Sequence, residues 1–279
     1  FRTTPRILFG VGAMQLVGQE VKNLGAKKAL IVTDPGIIKA GLIEPLEKSL
    51  KEAKVAYALF DNVEPEPRKE VVLKCLEKAR QEKIDLFIAI GGGSSIDIAK
   101  VTSVMLISEV KLDSLFGIDN VPQRGLPKIA IPTTAGSGSE VTPIAILSDE
   151  EEKLKKGIVS PFLFPDVSIL DPALTVGLPP SVTASTGIDA LAHAVEAYTS
   201  INATPLTDLL AEGAIRLISE NLRQAYANGE NLEARTNMLR ASNLAGISFA
   251  NAGVTAVHAF AYPIGAEYHM PHGVANALM

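Results

Sequence analysis

Tryptophan is absent from this chain of 279 residues, and cysteine occurs once, as Cys75. A single cysteine excludes an internal disulfide framework and makes a reducing compartment, the cytoplasm, the expected location. Cys75 itself falls in the amphipathic stretch 70–81 and reads as a small helix residue. Aromatic residues make up only 5%, and imidazole is available at only four positions: His193, His258, His269 and His272. No uninterrupted apolar run reaches the roughly 18 residues that would span a bilayer, so no membrane partner is expected. Residues 1–10 lack the pattern of a secretory leader. Positive charge is also in short supply. With 26 Lys and Arg against 31 Asp and Glu, the net charge is -5. That balance argues against nucleic acid as a partner, because phosphate binding needs a basic face.

What is present is the composition of a globular protein, 47% hydrophobic and 20% charged. The length suits one large or two ordinary domains. Short β-branched runs at 29–33, 55–60, 86–90, 128–131 and 167–170 alternate with amphipathic runs at 13–24, 42–54, 69–82 and 95–107. Alternating strands and helices predict a parallel sheet covered on both faces. The pattern changes near Asp171, where Pro172, Gly177, Pro179 and Pro180 punctuate the chain. Beyond Ser181 the sequence predicts helices only, at 181–199, 205–227, 232–251 and from 254 onward. In the second of these, Leu206, Leu209, Leu210, Ala214, Leu217 and Ile218 recur at helical spacing. The expected architecture is a Rossmann-like α/β domain over 1–175, an all-α domain over 176–279, and a cleft between them. The first residue is not Met and the last, Met279, directly follows a motif. Both ends therefore read as cut, and further helices of the second domain are expected beyond 279.

All four histidines lie in the helical part. Asp189 and His193 are four residues apart, which on a helix puts both on one face, about 6 Å apart along the axis. With His258 and His272 they would supply one carboxylate oxygen and three imidazole nitrogens, a set suited to Fe(II), Zn(II) or another borderline divalent ion. Spacing alone leaves a structural reading open for each pair. In the first part, the strand at 86–90 runs into Gly91, Gly92, Gly93, Ser94 and Ser95. A glycine turn opening a helix allows close backbone approach and aims free N–H groups at an anion. The spacing is not G-x-G-x-x-G, since Ile96 stands where the third glycine would be. A second loop, Pro132-Thr133-Thr134-Ala135-Gly136-Ser137-Gly138, again follows a strand with hydroxyls and glycines, among them Ser137. Asp34 ends the first of the strands named above, where a carboxylate can receive ribose hydroxyls and repel a 2′-phosphate. It also suits a turn before Pro35.

The segments 187–196, 258–266 and 271–276, with the triple-glycine and threonine-rich loops, resemble the iron-containing (group III) alcohol dehydrogenases, in the same order along the whole chain. The resemblance implies a dehydroquinate synthase-like architecture. It also implies hydride transfer between NAD and an alcohol/aldehyde or ketone pair, and metal ligation by Asp189, His193, His258 and His272. It places Gly92, Gly93, Ser94, Thr133, Thr134, Ser137 and Thr142 at the dinucleotide, with roles also for Asp34, Asp97, Lys155 and Leu174. A homo-oligomer is a further expectation, since oligomers are common in the family. Two departures stand out. Many members have Pro-Asn-Pro where this chain has Pro65-Glu66-Pro67, so that contact is not carried over. Many also have a histidine at the place of Tyr262, which makes Tyr262 a candidate pocket residue, with His269 nearby as an alternative proton acceptor. Enzymes sharing the architecture offer alternatives: a glycerol-dehydrogenase-like enzyme, a hydroxyacid–oxoacid transhydrogenase, or a dehydroquinate-synthase-like lyase. A catalytically silent dinucleotide- and metal-binding module is the alternative of another class.

Overall fold

A computed structural model describes residues 1–150, 154–268 and 270–279, the side chain of residue 266 left aside. Nine strands are seen among them: β1 (Ile7–Phe9), β2 (Lys28–Val32), β3 (Ala56–Phe60), β4 (Leu86–Gly91), β5 (Gly117–Ile118), β6 (Lys128–Pro132), β7 (Ile144–Asp149), β8 (Leu154–Val159) and β9 (Val167–Leu170). Six form one parallel sheet in the order β1-β9-β6-β4-β2-β3. The helices around it are α1 (Val17–Asn23), α2 (Pro35–Lys39), α3 (Glu44–Glu52), α4 (Lys69–Glu82) and α5 (Gly93–Ile107).

The near-continuous apolar run of β4 has a simple cause. All six of its residues are buried, because both sheet faces are covered and neither side of the strand meets water. Alternate side chains go to opposite faces. Leu30, Val32, Phe87 and Ala89 join one core with residues of α4 and α5. Ala29, Ile31, Leu86, Ile88 and Ile90 join the other with residues of α1 and α3.

The strand order also locates a crevice. From β2 the chain moves outward to β3, then returns past β2 to β4 and proceeds the other way through β6 and β9. The switch of direction lies between β2 and β4, and ligands of open α/β sheets bind outside the carboxyl ends of strands at such a point. Asp34 follows β2 there, and Gly91–Gly93 follow β4.

Beyond the sheet come α6 (Pro180–Thr199), α7 (Pro205–Ala227), α8 (Leu232–Ala252), α9 (Ala256–Tyr268) and α10 (His272–Leu278). No strand occurs after Leu170 among the described residues, in line with the helical reading of this part. Gly253, at a positive φ of 81° that favours glycine, separates α8 from α9. Pro271 separates α9 from α10, so the stretch from 254 onward is two helices. Among the described residues, no single helix is long and apolar enough to cross a membrane.

Three features depart from the sequence reading. The run at 13–24 starts as a 3-10 turn, Ala13–Leu16, and becomes α-helical only at Val17. The strands β1, β5 and β7 and the short helix α2 went unrecognised. And β5, β8 and β7 form a second, three-stranded sheet in which β7 and β8 are antiparallel. The cause of the last is local: β7 alternates buried and half-buried residues, the pattern of a strand covered on one face, and it lies outside the parallel layer.

Candidate metal centre and adjoining dinucleotide crevice

Helix α6 presents Asp189 and His193 from successive turns, as their spacing requires. Helices α9 and α10 bring His258 and His272 against them. From Asp189 Oδ1 the Nε2 atoms of His272, His258 and His193 lie 3.5, 3.7 and 3.9 Å away. Four ligands about 2.1 Å from one tetrahedral ion sit roughly 3.4 Å apart, so these separations suit a cation. Asp189, His258 and His272 each offer an atom, and those atoms all lie within 4.8 Å of one another. His193 stands at the margin of that group. Its ring is stacked between Phe249 (4.2 Å) and His258 (4.5 Å). Close approach of α10 to α6 depends on Gly273, where a Cβ would come within 1.9 Å of the Ser185 carbonyl oxygen.

The electrostatics follow from burial and from this crowding. Burial by itself would raise Asp189, but the three histidines outweigh it and hold the carboxyl well below the ordinary range. Burial pushes His193 down to about 4 and also lowers His272. His258 moves the other way: burial is outweighed by Asp189 and Glu196, which raise it. The lowered imidazoles of His193 and His272 beside an ionised carboxylate are in the protonation state a divalent metal requires. The other ring nitrogen of His193, Nδ1, is buried without a hydrogen-bond partner.

Glu196, to which the sequence reading gave no role, proves central. Its Oε2 meets His258 Nδ1. Its Oε1 accepts from Thr255 N (2.8 Å), Thr255 Oγ1 (3.0 Å), Val257 N (2.8 Å) and His258 N (3.4 Å). One carboxylate thus satisfies the orphan donors at the start of α9 and holds the proton of His258 on Nδ1, leaving Nε2 bare. A signal existed: Asp189, His193 and Glu196 recur at spacings of four and three along one helical face. Tyr262 lies one turn after His258. It stacks on His272 with ring centres 5.4 Å apart and meets His258 edge-on at 5.9 Å. Burial, then the Asp189 charge, push its phenol above the usual range, so at neutral pH it is a donor and not a base. His269 lies outside the described residues.

In the crevice, Gly92 caps α5 and Gly93 opens it. Gly91 has φ 149°, and a Cβ there would lie 2.6 Å from Ser95 Oγ and 3.2 Å from Asp34 Oδ2. The turn therefore demands glycine. A Cβ on Gly92 would meet Thr134 at 3.7 Å, and one on Gly93 would meet Ser137 at 2.9 Å, so the two loops abut. Gly92, Gly93, Ser94, Thr134 and Ser137 are half-open, as a ligand site needs. Asp34 caps α2 through Oδ1, which accepts from Gly36 N (2.8 Å) and Ile37 N (3.1 Å), while Oδ2 faces Gly91.

Other expected contacts are turned inward. Thr133 is buried. Asp97 accepts from Ser139 Oγ (2.5 Å) and Ile146 N (2.9 Å), and the Thr142 hydroxyl lies 3.3 Å from Lys100 Nζ. Lys100 is fully buried, where desolvation pushes it down to about 8, and also donates to Ile144 O at 2.7 Å. Leu174 packs into a sheet core. Asp97, Thr142 and Leu174 thus also shape the loops and the sheet beside the crevice. Lys155 is paired with Glu66 at 2.6 Å, so the carboxylate that departs from Pro-Asn-Pro is matched by a cation.

The model of the iron-containing alcohol dehydrogenase family matches residues 4–172, and that of the Fe-containing alcohol dehydrogenase family, C-terminal, matches residues 183–279. The chain is 47% identical over 273 residues to long-chain-alcohol dehydrogenase 1 of Geobacillus thermodenitrificans, covering 97% of this chain and 69% of that protein. The crystal structure of a 1,3-propanediol oxidoreductase superposes with a TM-score of 0.97 at 45% identity, covering 99% of this chain and 72% of that one. That of sulfoacetaldehyde reductase from Bifidobacterium kashiwanohense, in complex with NAD+, does so with a TM-score of 0.94 at 33% identity, covering 100% and 74%.

Proposed function

The chain belongs to the iron-containing alcohol dehydrogenase family, and from that premise we propose that it transfers a hydride between NAD and an alcohol/aldehyde or ketone pair at a metal centre held by Asp189, His193, His258 and His272. The observation that carries this reading is the convergence of Asp189, His258 and His272 on one point, with Glu196 fixing the tautomer of His258.

The bound cation supplies Lewis acidity at the reacting oxygen. The remaining work falls to the chain's own residues. Gly92, Gly93 and Ser94, at the start of α5, turn backbone N–H groups toward the pyrophosphate. Thr134 and Ser137 offer hydroxyls from the facing loop. Asp34 has Oδ2 free to accept from the adenosine ribose, which favours NAD over NADP. Tyr262 stands beside His258 and His272 as a hydrogen-bond donor at the substrate end. Orientation of two reactants across one cleft is the main contribution of such a scaffold. We take 1–175 as the dinucleotide unit and 176–279 as the metal unit. In support, the sheet ends at Leu170 and α6 begins at Pro180. A cytoplasmic location is proposed from the single cysteine, Cys75, which leaves no internal disulfide to form. A homo-oligomer is proposed from family habit alone.

The test is absorbance at 340 nm with NAD and a panel of primary alcohols and diols, with Fe(II) or Zn(II) added. Turnover that chelation abolishes and metal restores is the expected result. Binding of NAD and metal without turnover on any substrate would favour a silent module instead.

A further inference from the structure

The amide of Asn276 lies among the candidate metal ligands. Its Nδ2 is 2.6 Å from Asp189 Oδ1, 3.3 Å from His258 Nε2 and 3.4 Å from His272 Nε2. Asn276 is on α10, one turn after His272, and is almost fully buried. We propose that Asn276 is a placeholder for the cation: in the metal-free protein its amide hydrogens occupy the lone pairs that hold metal, and metal entry displaces them. The proposal rests on the metal-centre reading above.

Three observations carry it. First, the atom facing Asp189 at 2.6 Å must be the nitrogen. An amide oxygen there would repel the carboxylate, whereas an amide nitrogen is a donor with no acceptor capacity. Second, Asn276 Oδ1 is buried without a partner, so the side chain is oriented by what Nδ2 reaches and not by any bond to its own oxygen. Third, an ion about 2.1 Å from the same ligand atoms would fall within van der Waals contact of Nδ2. Amide and cation therefore exclude each other from this position. The buried Asp189 carboxylate is stabilised by a donor in one state and by the metal in the other, which lets the site stay folded while empty and makes metal compete with an internal hydrogen bond.

Removing the amide should destabilise the metal-free form only and tighten metal binding. Loss of a hydrogen bond to a buried charge corresponds to about tenfold or more in affinity. The experiment uses wild type, Asn276→Ala and Asn276→Asp, each chelator-stripped and then loaded with Zn(II) or Co(II). The expected result has three parts. The stripped melting temperature falls in both variants while the loaded one stays at the wild-type value in Asn276→Ala. Zn(II) affinity, read by chelator competition, rises about tenfold in Asn276→Ala. The visible spectrum of the Co(II) form is unchanged in Asn276→Ala. Should that variant fold only when loaded, this is the same result in stronger form. Asn276→Asp, nearly isosteric, places a second carboxylate against Asp189 and should widen the loaded-minus-stripped gap further. Equal falls in melting temperature with and without metal would mark Asn276 as a packing residue, and weaker Zn(II) binding in Asn276→Ala would mark it as a support of the loaded site. Either overturns the proposal while leaving the metal centre intact. A wild-type protein that takes up no metal would overturn the metal-centre reading and this proposal with it.

Discussion

Replacing Glu196 by glutamine tests whether one buried carboxylate both caps α9 and prepares His258. The substitution keeps size and shape but leaves one acceptor atom where there were two. In the wild type, Oε1 serves four donors at the start of α9 and Oε2 serves His258 Nδ1. A glutamine must choose. With its oxygen on the helix start, its NH2 faces His258, and the ring must accept at Nδ1 and carry its proton on Nε2, the atom needed for metal. With its oxygen on His258, the NH2 opposes the backbone donors of Thr255 and Val257. Supporting partners of ligating histidines are worth about 10- to 100-fold in metal affinity, roughly 1.4–2.7 kcal/mol. The expected outcome for Glu196→Gln is therefore a loss of that size in Zn(II) affinity by chelator competition, with a lower melting temperature even when metal-free, from the weakened start of α9. Glu196→Ala should be worse on both counts. Zn(II) affinity within twofold of wild type in Glu196→Gln would refute the reasoning, because the tautomer of His258 would then not depend on this carboxylate.

Asp34→Gly should narrow or reverse the preference for NAD over NADP, read as the ratio of kcat/KM with the two cofactors. An unchanged ratio would confine Asp34 to capping α2. Tyr262→Phe should lower kcat several-fold while metal content stays at wild type; identical kcat from pH 6 to 10 would leave the phenol with a packing role alone. Lys128, buried and pushed down to about 8 from 10.5, gives a pH prediction away from the site. Between those values the unfolded chain holds a proton that the folded chain lacks, so this group makes stability rise with pH across that window, by at most about 3 kcal/mol. Denaturant melts at pH 8 and 10 should show a smaller rise for Lys128→Met than for wild type, and equal rises would assign the slope to other groups.

Much of this molecule was legible in the linear chain. The apolar run 86–90 had to be an interior strand, because only a sheet covered on both faces removes that many consecutive side chains from water. The long helices after Ser181 were legible because a 3.6-residue period repeated over twenty residues admits little else. Asp189 and His193 had to share a face, since four residues close one helical turn. These are consequences of local geometry, and local geometry is written in spacing. What tertiary structure alone decided is which groups meet across distant elements. Asn276 is as unremarkable in sequence as any helix Asn, and the spacing that puts Glu196 on the face of Asp189 and His193 does not say what it meets; folding brings Glu196 and Asn276 onto His258 and Asp189 from 62 and 87 positions away. The family resemblance places Asp97 and Thr142 at the dinucleotide, but it does not say which protein groups they meet. Only the packing of α5 against residues 139–146 sets those partners, Ser139 and Lys100. The direction of a side chain at a loop or helix end depends on the elements packed against it, and no period or spacing within one segment carries that information.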